Sequence, residues 1–158
     1  MFGVMIPSAF AAAGDITAVK TQSEGNNLEH DTAWGQHNSL VQVDSDTYAL
    51  AYAGLGDSED IPHGWISTFT ISSDGTTITE VDTLEHDTGR GIHNSLVQVD
   101  SGTYALAYKD DNPGGDGLIS TFTIDSDGNI TALRTQSEGN NLEHDTVGVQ
   151  YNSLVKVD

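Results

Sequence analysis

Short runs in which large and small apolar residues alternate are the clearest feature of this chain. The run Tyr-Ala-Leu-Ala-Tyr lies at 48–52 and returns at 104–108. On a strand, its Tyr and Leu side chains share one face and its Ala side chains share the other. A strand that is apolar on both faces is packed on both sides. We therefore expect a sheet that is stacked between two neighbouring sheets.

Three further strands are expected in each copy of this pattern, and no segment has the period of an amphipathic helix. The runs lie at 39–43, 65–71 and 78–83, and they return at 94–100, 118–124 and 130–135. Asp-Gly pairs at 74–75 and 127–128 predict tight hairpin turns before the last strand of each copy. That last strand is the most polar, which is typical of an outer edge strand. Another strand is expected at 15–21, and an inner strand at 152–158.

A repeat of about 57 residues organises the chain. The motif Leu-Glu-His-Asp-Thr begins at residues 28, 84 and 142, so the spacing is 56 and then 58 residues. Four strands joined by short turns in a repeat of this length fit a four-stranded antiparallel propeller blade. We predict an all-β fold of β-propeller blades, with two full blades and a partial blade at each end in residues 15–158, an incomplete ring. Tandem small β-sandwiches are the alternative, although such domains need about seven strands each.

A longer repeat relates the two ends of the chain. Residues 16–44 and 130–158 have nearly the same sequence, whereas the middle copy lacks six residues before its Leu-Glu-His-Asp motif. The blades therefore alternate in type, which indicates duplication of a two-blade unit. Fewer than three blades would leave apolar blade faces open to water. We expect the chain either to form homo-oligomers or to be a segment of a longer propeller chain.

Composition limits the classes of binding partner and the cellular location that we expect for this chain. The 158 residues carry a net charge of −19 with only five basic residues, a field that repels nucleic acid and anionic membranes. We expect no nucleic-acid partner and no membrane span, and the absence of cysteine excludes disulfides. Residues 1–11 are apolar and end in Ala-Phe-Ala, which resembles the remnant of a secretory signal peptide. A secreted or cell-surface location is the resulting expectation.

The tripeptide Glu-His-Asp is the most distinctive polar motif, and it occurs once per repeat. A carboxylate beside an imidazole can bind a metal or act in general-base catalysis. However, an active site is normally built once, from different residues of different blades. We interpret the motif as a structural hydrogen-bond cluster that holds each crossover between blades, with metal binding and catalysis as the alternatives. Its members are Glu29, His30, Asp31, Glu85, His86, Asp87, Glu143, His144 and Asp145.

Variable residues beside the inner strands form the candidate ligand site. In a propeller they would lie near the entrance of the central channel. Variation on a constant scaffold is typical of ligand-specific sites, and equally of drift on a solvated loop. An extracellular glycan or a protein is the expected ligand. The candidate residues are Trp34, His37, Arg90, His93 and Tyr151.

Acidic stretches raise the question of calcium and of hydrolysis. The turn at 125–129 and the cluster of Asp110, Asp111, Asn112 and Asp116 lack the further oxygen ligands and the terminal Glu of a complete calcium loop. We interpret the turn at 125–129 as a hairpin turn. We expect no cofactor, with Ca²⁺ as the alternative. Unpaired carboxylates would serve a glycan-processing propeller hydrolase, the alternative function. They are Asp57, Glu59, Asp60 and Asp116.

Taken together, these motifs resemble the repeats of large secreted proteins from marine ammonia-oxidising archaea. The likeness rests on Leu-Glu-His-Asp-Thr, on the run from Asn38 to Tyr52, and on Ile-Ser-Thr-Phe-Thr-Ile followed by Ser-Asp-Gly, and it covers residues 15–158. It implies an exported repeat protein and implies no activity. The expected function is accordingly binding or structural, without catalysis.

Overall fold

The all-β prediction is confirmed. The structure is a computed structural model that describes residues 19–21, 25, 27–32, 34–56, 61–110 and 114–157, and within these ranges it contains strands and no helix. The first sheet has the order β1 (Gln36–Gln42), β2 (Thr47–Leu55), β3 (Pro62–Ile71) and β4 (Ile78–Asp87). The second has the order β5 (Gly91–Asp100), β6 (Thr103–Asp110), β7 (Asp116–Ile124) and β8 (Ile130–Arg134), with β9 (Leu142–Asp145) also paired to β7. All neighbouring strands are antiparallel.

The predicted Asp-Gly hairpins are also confirmed. Gly75 and Gly128 have φ angles of 70° and 88°, the left-handed region that glycine enters without a steric penalty. The amide of Gly75 donates to the carbonyl of Ser72 at 2.8 Å, and that of Gly128 donates to Asp125 at 3.0 Å. These turns place β4 and β8 against the third strand of their respective sheets.

Three expectations about the repeat boundaries are wrong in detail. Residues 84–87 and 142–145 are not crossovers, because they extend the edge of each sheet as the end of β4 and as β9. Residues 19–21 are not part of a strand, and residues 15–18 lie outside the described residues, as does the leader at 1–11. Residues 151–157 are not a strand either, because no second strand pairs with them among the described residues.

The two sheets stack through faces of unequal bulk. Each sheet has a small face, which carries Ala49 and Ala51 in the first sheet and Ala105 and Ala107 in the second. Each also has a large face with the Tyr and Leu side chains of the same strands. The small face of the first sheet packs on the large face of the second in one core, which buries Tyr104, Leu106, Tyr108 and Phe122 completely. Burial of each such side chain stabilises the fold by roughly 1.5–3 kcal/mol.

Hydrogen bonds fix the register of one sheet on the other. The Leu96 amide donates to Oγ of Ser39 at 2.9 Å, which joins β5 to β1. At the opposite edge, the Ile130 amide donates to a carboxylate oxygen of Asp82 at 2.8 Å. Between these two edges, Thr68 Oγ1 on β3 donates to the Gly128 carbonyl at 2.6 Å. The stacked sheets do not close into a ring within the described residues, and none of those residues forms a helix that could span a membrane.

Candidate functional site

A bulge near the start of each first strand positions the candidate ligand residues. The register of β1 against β2 shifts between Gln36 and Ser39, and that of β5 against β6 shifts between Ile92 and Ser95. Bulges of this kind redirect side chains and are frequent beside binding sites. The bulged positions hold His37 and His93, and Tyr151 is the matching residue of the third copy.

All three residues have a left-handed backbone, which is uncommon for bulky side chains. Their φ angles are 56°, 56° and 55°. Such a conformation costs roughly 1–2 kcal/mol per residue unless the surroundings impose it. The asparagine that follows contributes to it, since Nδ2 of Asn38 donates to the Gly35 carbonyl and Nδ2 of Asn94 to the Gly91 carbonyl, both at 3.1 Å. The same strained turn is therefore built in two successive sheets.

The strained residues bring their rings into one row. The ring centroids of His37 and His93 are 4.4 Å apart, with planes inclined by 67°. His93 and Tyr151 are 4.8 Å apart and inclined by 55°. We call these three residues the aromatic row. Tyr151 closes it with 78% of its surface exposed, so the row ends in solvent.

Two adjoining cavities contain all five candidate residues. The larger, of about 370 Å³, is lined by the aromatic row and by the asparagines that follow each of its members, Asn38, Asn94 and Asn152. The smaller, of about 130 Å³, is lined by Trp34, Gln36, His37, Ala53, Pro62, Arg90 and Ile92. His37 lines both cavities, so the five candidate residues lie in two cavities that share one side chain.

Polar groups without partners make this site suitable for a hydrogen-bonding ligand. Burial lowers the pKa of His37, and the neighbouring His93 lowers it further. A neutral imidazole offers one donor and one acceptor nitrogen. Oδ1 of Asn94 and Nδ2 of Asn152 are buried and have no hydrogen-bond partner among the described residues. Unpaired polar atoms of this kind are rare in native proteins, and because both atoms are buried, a ligand reaches them only if the asparagine side chains turn towards the cavity.

The asparagines were missed by sequence reasoning, although a signal existed. Asn38, Asn94 and Asn152 occupy the same position in every copy, directly after the variable residue. Their role depends on the bulge, which is a feature of strand pairing rather than of local sequence.

The aspartates of the Glu-His-Asp motif accept hydrogen bonds from the turn that follows the motif. Asp31 Oδ1 accepts from the Trp34 amide at 2.6 Å, and its Oδ2 accepts from the Leu55 amide at 2.9 Å. Asp87 Oδ1 accepts from the Gly89 amide at 2.7 Å. Asp145 Oδ1 accepts from the Val147 amide at 3.1 Å. These carboxylates therefore accept hydrogen bonds from backbone amides, and those of Asp87 and Asp145 come from the turn that follows directly.

The histidines of the motif pack rather than bond, and they differ in burial. His86 is fully buried, and neither ring nitrogen has a hydrogen-bond partner among the described residues. Its ring meets that of Tyr108 edge-on at 4.7 Å, and His30 meets Tyr52 in the same way at 5.0 Å. Burial lowers the pKa of His86 to about 3. His144 is exposed.

The glutamates of the motif differ as well. Glu85 pairs with Nδ1 of His63 on the neighbouring strand β3. Glu29 and Glu143 are exposed. Residues 85–87 lie at the edge of the first sheet and residues 143–145 at the edge of the second, whereas residues 29–31 are not part of a strand.

A buried carboxyl lies beside His86. Burial, together with the nearby charge of Asp110, raises the pKa of Asp87 to about 7. Asp87 is completely buried, so it cannot reach a substrate in this conformation. The pKa of Tyr108 is raised by the same burial and by the charge of Asp87.

The acidic stretches show turn bonding in the described residues. The Asp125 carboxylate accepts from the Asp127 and Asn129 amides at 3.0 and 2.9 Å, which closes the hairpin turn. No group of three or more His, Cys, Asp or Glu side chains is placed to hold a metal ion in the described part of the chain. Asp116 faces Asp110 across the β6–β7 ladder. The other residues proposed for calcium or hydrolysis, Asp57, Glu59, Asp60, Asp111 and Asn112, lie outside the described residues.

Comparison with protein-family models, with curated proteins and with solved structures finds no match for this chain. The site must therefore be interpreted from its own geometry.

Proposed function

We propose that this chain is a secreted or cell-surface β-propeller repeat protein that binds an extracellular glycan and does not catalyse a reaction. The observation that carries the proposal is the aromatic row, in which strained backbone conformations place three rings along one cavity. Strain that recurs at equivalent positions supports a functional role for them. The propeller assignment is supported by the order of the first sheet, which matches the chain order expected of a blade.

A neutral glycan suits the chemistry of the site. Sugar rings have apolar C–H faces that pack on aromatic rings, and hydroxyl edges that accept and donate hydrogen bonds. His37, His93 and Tyr151 offer the rings, while the adjacent asparagines offer both donors and acceptors. The net charge of −19 disfavours acidic glycans by electrostatic repulsion.

The test is a glycan array followed by calorimetry with variants that keep the backbone. His37→Asn and His93→Asn remove the rings, and asparagine tolerates positive φ, so folding should be unaffected. We expect the double variant to lose binding of the neutral glycans that the wild type binds. His144→Asn is the matched control, because His144 is exposed and lies outside both cavities.

Two results would contradict the proposal. Equal binding by the wild type and the double variant would remove the aromatic row from recognition. Turnover of any glycan in a parallel glycosidase panel would favour the hydrolase alternative instead.

A further inference from the structure

The large face of the first sheet is partly open to solvent around Leu40, although Tyr52 and Phe69 on the same face are buried, whereas the large face of the second sheet is covered throughout. Leu40 is 60% exposed, but Leu96, its equivalent in the second sheet, is 8% exposed. Leu40 lines an apolar groove with Tyr48, Leu50, Phe69, Ile71 and Ile78. Exposed apolar surfaces of this kind mark interaction sites.

The packing of the two sheets within one chain shows which surface fits a large face. Leu96, Tyr104, Leu106, Phe122, Ile124 and Ile130 form the same surface on the second sheet, and the small face of the first sheet covers it. The second sheet has a small face of its own, with Ala105 and Ala107. A second copy could therefore place its small face on the open large face in the same way.

Described residues near both ends of the chain contact these faces. Leu28 and His30 line the groove on the first sheet, and Leu154 bonds to Ser95 on the second.

The terminal sequences also copy a segment of the sheet that would replace them. Residues 16–31 match 130–145 except at Val19/Leu133 and Lys20/Arg134. Residues 38–43 match 152–157 except at Gln42/Lys156. Each terminal segment is thus a near-duplicate of a strand region in a complete sheet.

The described residues of these segments also make the contacts of a complete sheet. The Leu154 amide donates to Oγ of Ser95 at 2.8 Å, as Leu96 donates to Ser39 within the chain. Val19 lies over Gly75, as Val81 lies over Gly128. A neighbouring sheet from a second copy could make the same contacts and add its two central strands.

We propose that the large face of the first sheet docks the small face of the second sheet of a second copy. The incoming β1 displaces residues 152–157, so that the Leu40 amide bonds to Oγ of Ser95. In exchange, the β8–β9 region of the second copy takes the place of the described residues 19–21, 25 and 27–31. The second copy makes the contacts that the terminal segments made before. It also buries the groove around Leu40. Because the two faces differ, the contact is heterologous and leads head to tail towards a ring or a filament.

Mixing two blocked variants tests this arrangement. Leu40→Glu blocks the large face, and Ala105→Glu blocks the small face. Each variant alone should be monomeric by light scattering in high salt, which screens the acidic surface. Their mixture should form a 1:1 dimer and nothing larger, because one open face of each kind remains. Both substitutions introduce glutamate, so new charge attraction cannot explain a complex.

Controls keep the test decisive. Ile61→Glu adds the same charge at a residue that is 46% exposed and precedes β3, and it should associate like the wild type. If Ala105→Glu does not fold, Val99→Glu replaces it. Val99 is 47% exposed, and its equivalent Val43 packs in the core formed by the small face.

Leu154→Glu gives an opposite readout. It weakens the segment that competes with the incoming strand, so self-association should strengthen. A wild type that stays monomeric at all concentrations, a mixture that forms no dimer, or a Leu40→Glu chain that still self-associates would each overturn the proposal.

Discussion

At the scale of single residues, equivalent residues of identical motifs differ in burial. His86 and His144 share the sequence Leu-Glu-His-Asp-Thr, yet one is completely buried and the other is exposed. The difference arises because the first sheet edge packs on β6 and β7, where Tyr108 and Phe122 meet the His86 ring. Burial therefore depends on the neighbouring sheet and not on the motif.

His86→Ala should lower the free energy of unfolding by about 2–5 kcal/mol, the range for large-to-small changes in a core. His144→Ala should change it by less than about 0.5 kcal/mol, as is usual for exposed positions. Urea denaturation of both variants provides the measurement. Similar losses in the two variants would show that the histidine stabilises the protein through the motif itself and not through packing on the neighbouring sheet.

Asp87 predicts a second effect, on the pH dependence of stability. The folded-state pKa is raised to about 7 from 3.8, so neutral Asp87 stabilises the fold fully below 3.8, and this contribution is lost as the pH rises through 7. Asp87→Asn should therefore be more stable than the wild type near pH 8, by roughly 2–4 kcal/mol. The advantage should shrink progressively towards pH 4.

Comparing the two pH values separates titration from packing. A steric effect of the amide is the same at both, whereas the effect of charge is not. A constant difference between Asp87→Asn and the wild type from pH 4 to pH 8 would show that Asp87 titrates normally.

At the scale of elements, glycine permits the close approach of β3 to the end of β4. A Cβ on Gly64 would lie 2.5 Å from Cε1 of His86, within a repulsive distance. The register of β3 against β4 shifts at this point, between Gly64 and Trp65. A small residue on one strand and a large ring on the next are thus a matched pair.

Gly64→Ala should destabilise the protein by about 1–3 kcal/mol through overpacking. In the His86→Ala background the same change should cost much less, because the ring is gone. A double-mutant cycle measures this coupling directly. Additive effects would place the strain of Gly64→Ala elsewhere.

At the scale of the whole molecule, charge opposes compactness. The net charge of −19 is spread over a chain with only five basic residues. Repulsion among like charges destabilises a compact state, and salt weakens it over a Debye length of about 8 Å at physiological ionic strength.

The melting temperature should therefore rise steadily with NaCl. At equal ionic strength we expect CaCl₂ to give no further rise, since screening does not require a specific site. A saturable additional rise with CaCl₂ alone would instead identify a bound calcium ion, and Asp125→Asn would then locate or exclude the turn at 125–129.

Local pattern alone determined the central strands and the Asp-Gly turns of both sheets. The alternation at 48–52 and 104–108 and the Asp-Gly turns predicted strands and hairpins that the structure contains, because strand faces and turn conformations depend on neighbouring residues. The sequence also singled out the variable positions Trp34, His37, Arg90, His93 and Tyr151, and the structure places them along two cavities that share His37.

Only the tertiary structure decided the rest. The bulges that force His37 and His93 into a left-handed backbone arise from pairing with the next strand. The stacking of unequal faces buries His86 and leaves Leu40 exposed, although each has a counterpart of the same sequence elsewhere in the chain. Identical local sequences cannot encode such differences, because burial is a property of the neighbour that covers a residue.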